Sequence, residues 1–119
     1  MKVALLSRGR GWHTDELARA LRARGHEPQL LPVQSLVARS GDAPRLTAGG
    51  MAIDGCEAAL VRIRPRGSLE QVVFRVDALH WLERLGVAVL NPATAIERTV
   101  DKFLTSALLQ EAGLRTPRT

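Results

Sequence analysis

The sequence is poor in several residue types, and each shortage excludes something. One of its 119 residues is a cysteine, none is a tyrosine, and phenylalanine and tryptophan contribute two each. Cys56 has no intrachain partner, which excludes a disulfide scaffold. Aromatics at 3% leave no base-stacking platform of the kind single-stranded nucleic acids use. Lysine is rare too: Lys2 and Lys102 stand against fifteen arginines. No apolar run approaches the ~18 residues of a membrane-spanning helix. The start, Met1-Lys2-Val3-Ala4-Leu5-Leu6-Ser7-Arg8, holds too short an apolar stretch for a signal peptide. It reads as a buried first strand, and a cytoplasmic protein without a membrane partner is expected.

What is present is ordinary globular material. The chain is 45% hydrophobic and 24% charged, which excludes disordered and collagen-like classes. Its length suits one domain with a real core. The net charge of +5 is diffuse, with no block of five like charges, so the dense stripe that tracks a phosphate backbone is missing. Arginine in place of lysine across the surface is the simpler explanation, and no nucleic-acid partner is expected.

Strand and helix patterns alternate along the chain. Residues 2–6 form an apolar strand, followed by the turn Ser7-Arg8-Gly9-Arg10-Gly11. Thr14 is placed to cap a helix bearing Leu17, Ala18 and Leu21, with Gly25 at its end. Residues 28–33 read as an edge strand because of their prolines. Residues 40–44 are loop, and 45–53 straddle Gly49-Gly50 as a small hairpin. Residues 58–63 are apolar enough for a central strand. Ser68 and Gln71 fit a capping box opening the longest helix, whose expected buried face is Val72, Val73, Val76 and Leu79. Gly86 ends it, residues 87–90 form a fourth strand, and Asn91-Pro92 closes that strand. A helical turn over 94–98 precedes a last helix from about Val100 to Ala112, with the apolar stripe Val100, Phe103, Leu104, Ala107 and Leu108. This order predicts an α/β fold, a mostly parallel sheet flanked by helices, with a hairpin insertion.

Few features could carry chemistry. The glycines at 9 and 11 complete neither the dinucleotide fingerprint nor a P-loop, so a tight strand-to-helix turn is favoured. Arg62, Arg64 and Arg66 alternate at the end of the third strand. They would project together from the carboxyl end of a parallel strand, where α/β sheets bind ligands. Guanidiniums there suit carboxylates or phosphates. A solvated face, or pairing with Glu70 and Glu57, is the competing reading. Lys102 lies in the first turn of the last helix, against the macrodipole, at a cost of ~0.3–1 kcal/mol. A phosphate contact would explain it, and so would pairing with Asp101 or Glu97. His13, His26 and His80 lack ligand spacing, so no metal site is expected within this chain, and no catalytic residues are assigned.

One resemblance joins these pieces. The opening Lys2-Val3-Ala4-Leu5-Leu6-Ser7-Arg8, the strand end Val61-Arg62-Ile63-Arg64, Leu85-Gly86-Val87 leading to Asn91-Pro92 and Ala95-Ile96, then Asp101-Lys102 and Ala112-Gly113-Leu114 through Thr116-Pro117-Arg118-Thr119, resemble the N-terminal part of RimK-like ATP-grasp ligases. The run Gly67-Ser68-Leu69-Glu70-Gln71-Val72-Val73-Phe74-Arg75 is most similar to a subgroup that glutamylates pterin-type cofactors such as tetrahydromethanopterin.

The resemblance implies a Rossmann-like pre-ATP-grasp domain over residues 1–98. Residues 99–119 would then be a helix and tail leading into an ATP-grasp domain absent here. It implies ATP-dependent ligation of glutamate, or a similar amino acid, to an acceptor carboxylate through an acylphosphate. ATP and Mg²⁺ would be held mainly by residues beyond 119. Lys102 matches a lysine that contacts ATP phosphate. Arg62, Arg64 and Asn91 become candidates for binding substrate, an acidic small molecule or protein. The parent would be a homo-oligomer, and this chain alone would be inactive. The competing classes are a stand-alone doubly wound small-ligand module and an Arg-rich nucleic-acid protein. A receiver domain has the wrong charge at its strand ends, because Ser7-Arg8 and Arg62 stand where acids are needed.

Overall fold

A computed structural model describes residues 1–62 and 66–118. Its first strand is the centre of the molecule. β1 (Lys2–Ser7) is buried from Val3 to Ser7, so both of its faces are covered. β2 (Glu27–Pro32) pairs with it on one side and the later strand β6 (Ala58–Val61) on the other, both parallel. β7 (Ala88–Leu90) adds beyond β6, giving the parallel order β2-β1-β6-β7. The proline-bearing strand is therefore an edge and the third main strand is internal, as their compositions require. Ile63, the expected end of that strand, lies outside the described residues.

A second, antiparallel sheet is built from β3 (Leu36–Ala38), β4 (Leu46–Ala48) and β5 (Met51–Ala52), which follow a short 3₁₀ turn after β2. The β4–β5 hairpin about Gly49-Gly50 was expected; β3 was not, because Leu36-Val37-Ala38 is too short to announce itself. Leu46 and Ile53 carry this sheet into the main core, beside Leu6, Leu31, Leu79 and Leu82.

α1 (Trp12–Ala23) packs over β1 and β2. It begins three residues earlier than the sequence suggests, with Gly11 as its N-cap. Thr14 is thus not the cap but the third helical residue. Its hydroxyl accepts the Gly11 N–H at 2.9 Å and donates to the Gly11 carbonyl at 2.9 Å.

α2 (Leu69–Arg84) starts at the expected capping box: Ser68 Oγ accepts the Gln71 N–H at 3.2 Å, and Gln71 Oε1 accepts the Ser68 N–H at 3.1 Å. Its buried residues are Val76, Ala78, Leu79 and Leu82. Val72 is only half-buried and Val73 is exposed, a correction to the expected face. A run of apolar residues at 72, 73 and 76 does not say which side meets the sheet, and the core is set by the second half of the helix.

α3 (Ala93–Arg98) is tied back to α2, since Glu83 Oε1 accepts the Ala93 N–H at 2.8 Å. α4 (Lys102–Glu111) is capped by Asp101, whose Oδ1 accepts the Phe103 N–H at 2.8 Å. Here apolar pattern and burial part company. No residue of α4 is buried, and Phe103 is 76% exposed. The stripe exists, but this domain does not cover it. No described helix is long and apolar enough to cross a membrane.

Candidate functional site

In a parallel sheet every strand delivers its carboxyl end to the same edge, and connecting loops gather there. Here that edge collects Ser7-Arg8-Gly9 after β1, Gln34 after β2, Arg62 after β6 and Asn91 after β7. The Arg62 N–H donates to the Leu6 carbonyl at 2.9 Å, which fixes the arginine beside the end of β1. The β6–β7 register pairs Leu60 with Leu90, so Asn91 follows level with Val61, one residue short of Arg62.

The turn after β1 is closed by its own hydroxyls. Ser7 Oγ donates to the Gly9 carbonyl at 2.9 Å and accepts the Gly9 N–H at 3.1 Å. Thr14 takes the Gly11 N–H. Both glycine N–H groups are thus used internally, which leaves them unavailable for a phosphate and supports the tight-turn reading. Gln34 Nε2 donates to the Arg8 carbonyl at 3.2 Å and holds the loop from the β2 side.

Two adjoining hollows open at this edge. One, of about 220 Å³, is lined by Ser7, Arg8, Gly9 and Gly11 of the turn, by Trp12, His13 and Thr14, and by Arg62. The other, of about 380 Å³, runs along α1 past Glu16, Leu17 and Ala20. Trp12, His13 and Arg62 belong to both. The two rings meet edge to face, 5.1 Å between centroids, and form an exposed aromatic wall.

Charge at this wall is positive. Glu16 is held by Arg19 at 2.7 Å, and that hydrogen bond lowers its carboxyl below the usual range. No carboxylate among the described residues pairs with Arg8 or Arg62. Glu57, one suggested partner for the arginines, sits at the opposite end of the sheet, where its carboxylate accepts the Lys2 N–H at 2.7 Å. That hydrogen bond lowers the Glu57 carboxyl. Glu70 is exposed and makes no ion pair among the described residues.

The candidates do not all converge. Arg62 lines both hollows and Asn91 lies on the neighbouring strand end. Arg66 is exposed, with its carbonyl accepting the Arg75 guanidinium. Arg64 lies outside the described residues. Lys102 stands apart, exposed on the first residue of α4 and in the lining of neither hollow. Its two alternative partners are otherwise engaged: Asp101 caps the helix, and Glu97 Oε2 lies 3.1 Å from His80 Nε2. The sequence reading missed Arg8, Trp12 and His13. The signal was an aromatic pair directly after a Gly-x-Gly turn, at the helix start that follows the central strand β1. Among the described residues no three His, Cys, Asp or Glu side chains group to hold a metal.

A parallel sheet flanked by helices, with a cationic, aromatic-walled edge at its strand ends, defines an α/β domain. The chain is a member of the RimK PreATP-grasp domain family, whose sequence profile matches residues 1–96. It is 33% identical over 113 residues to a tetrahydromethanopterin:alpha-L-glutamate ligase of Methanosarcina acetivorans, covering 91% of this chain and 35% of that protein. It is 31% identical over 121 aligned positions to a probable alpha-L-glutamate ligase of Ectopseudomonas mendocina, covering 100% of this chain and 39% of the relative. The chain thus spans little more than a third of the curated relatives it matches. Its fold superposes on a RimK-domain ATP-grasp protein of Sphaerobacter thermophilus with a TM-score of 0.72 at 24% identity, over 99% of this chain and 39% of the other. It also matches the ATP-grasp ligase PsnB, solved with a minimal precursor, Mg and ADP, with a TM-score of 0.66 at 24% identity, over 98% of this chain and 45% of PsnB.

Proposed function

We propose that this chain is the acceptor-facing domain of an ATP-dependent carboxylate–amine ligase that adds glutamate, or a similar amino acid, to an acidic acceptor. The family membership supports the class of enzyme. The observation that carries the role of this domain is Arg62, unpaired among the described carboxylates and lining the same hollows as Trp12 and His13 at the carboxyl edge of the sheet. A guanidinium there can take an acceptor carboxylate bidentately while the rings exclude water from one side. Asn91 would add a neutral amide donor from the next strand.

ATP supplies the phosphoryl group that activates the acceptor carboxylate in such a ligation, and Mg²⁺ offsets the charge on its phosphates. The relatives are more than twice the length of this chain, and the metal's carboxylates are assigned to the part of the parent outside it. Lys102 is the residue of this chain assigned to ATP phosphate. It is exposed, its neighbouring acids are engaged elsewhere, and it lies outside the acceptor hollows. The acceptor and nucleotide contacts of this domain are therefore separable.

The test is ADP release. The parent should form ADP only when glutamate and an acidic acceptor are both present, and the 119-residue chain alone should form none. In the parent, Lys102→Ala should raise the KM for ATP about tenfold or more, the scale of one lost charge-assisted contact, with the acceptor KM unchanged. An unchanged ATP KM removes Lys102 from the nucleotide site. ADP formation by the short chain would overturn the division of labour.

A further inference from the structure

α2 is not amphipathic in the usual sense. A helix covered on one side carries its apolar residues on that side, whereas one that is apolar all round is covered all round. The core-facing side of α2 is Val76, Ala78, Leu79 and Leu82. The opposite side carries Val73, Phe74 and Trp81, which are 49%, 39% and 42% exposed, with Leu69 at its start 78% exposed. At roughly 100° per residue, Asp77 lies at the centre of that outer face. Val73 and Trp81 flank it one turn away on either side, and Glu70 and Arg84 flank it two turns away.

This arrangement is self-complementary. If two copies of α2 cross antiparallel about a two-fold axis at Asp77, residues equidistant from Asp77 meet. Val73 of one copy then faces Trp81 of the other, Phe74 faces His80, and Glu70 faces Arg84. Each contact occurs twice, as an isologous interface demands. Apolar meets aromatic, and acid meets base. Arg84 already lies over the Trp81 ring, 5.9 Å from its centroid, so the guanidinium is placed beside the apolar contact and is free to take a carboxylate. Among the described residues Glu70, Asp77 and Arg84 make no ion pairs within the chain. The one conflict is Asp77, which would face its own copy.

We propose that the outer face of α2 is a homodimer interface, occupied by α2 of a second copy of this chain in antiparallel two-fold contact about Asp77. The surface is distinct from the strand-end hollows, and the proposal does not depend on what the hollows bind. A single pair of helices about 24 Å long gives an interface below the ~1,200 Å² of stable complexes, so a weak dimer is expected.

Sedimentation equilibrium on the 119-residue chain from about 5 µM to about 500 µM covers the concentrations at which a weak dimer of this size class assembles. Trp81→Ala should weaken the dimer at least ~10-fold, as the loss of an aromatic anchor does. Glu70→Arg and Arg84→Glu should each weaken it ~5-fold or more, and the double reversal should restore it to within ~2-fold. Asp77→Asn should tighten it ~3-fold by removing the like-charge contact. Val73→Asp is a second disrupting variant, and thermal melting checks that each exposed substitution leaves the fold intact. A chain that stays monomeric throughout overturns the proposal. So does a dimer indifferent to Trp81→Ala and Val73→Asp, or single reversals that the double does not rescue. A monomer whose α2 amides are protected from hydrogen exchange only in the parent assigns the face to another part of that parent and overturns it equally.

Discussion

The parallel sheet and the last helix are written in similar apolar language and end up in opposite circumstances. β1 runs Val3-Ala4-Leu5-Leu6 and is wholly covered. α4 runs Phe103-Leu104 and Ala107-Leu108-Leu109 at helical spacing and buries none of them. A hydrophobic period reports that a face is meant to be covered; it does not report by what. For β1 the cover is within the chain, because two parallel neighbours and helices on both sides are encoded nearby. For α4 the described residues hold no cover. The same holds on a smaller scale for the two sides of α2.

That contrast is measurable. Leu82 is fully buried beside Leu6, Leu31 and Leu79. Leu82→Ala should cost about 2–5 kcal/mol in denaturant unfolding of the chain, whereas Phe103→Ala on α4 should cost less than about 0.5 kcal/mol. Comparable losses would mean that α4 packs on the domain after all.

A smaller effect separates α3 from α4. The Glu83 carboxylate accepts the Ala93 N–H and lies 4.0 Å from His80 Nδ1, so it ties α3 to α2. Glu83→Ala should lower stability by about 1–2 kcal/mol, the cost of leaving a partly buried N–H without its charged acceptor. A thermal melt without a shift would show that α3 is held by Ala93 and Ile96 packing alone.

The smallest test uses the same chemistry twice. Ser68 caps α2 and Asp101 caps α4. Ser68→Ala should cost about 1 kcal/mol in global unfolding. Asp101→Ala should reduce helical circular dichroism and leave the melting midpoint of the chain in place, because α4 frays independently of the core. A lowered midpoint for Asp101→Ala would break the contrast.

Much of the architecture was legible because strand and helix boundaries here are punctuated. Gly25 and Gly86 end helices at φ values of +77° and +89°, and Ser68-Gln71 opens one with side chains alone. The edge position of β2 followed from Pro28 and Pro32. The start of α1 was misread because Thr14 has the chemistry of an N-cap but works from the third helical residue, reaching back to the Gly11 N–H. β3 was missed because three residues carry no periodicity. At the site, Arg62 was legible from its position at a strand end. Trp12, His13 and Arg8 were not, since their role depends on β1 and β6 lying side by side, a long-range pairing of Leu6 with Val61 that no local pattern announces. Lys102 stood out by rarity, yet its distance from both hollows could be read only from the fold.

The central claim is that the edge between β1 and β6 receives the acceptor. Steady-state kinetics of the full-length parent carrying Arg62→Ala tests it most directly. The acceptor KM should rise about tenfold or more, the scale of a lost charge-assisted contact, while the KM for ATP stays within about twofold. An acceptor KM equal to wild type, or a loss confined to ATP, would contradict it.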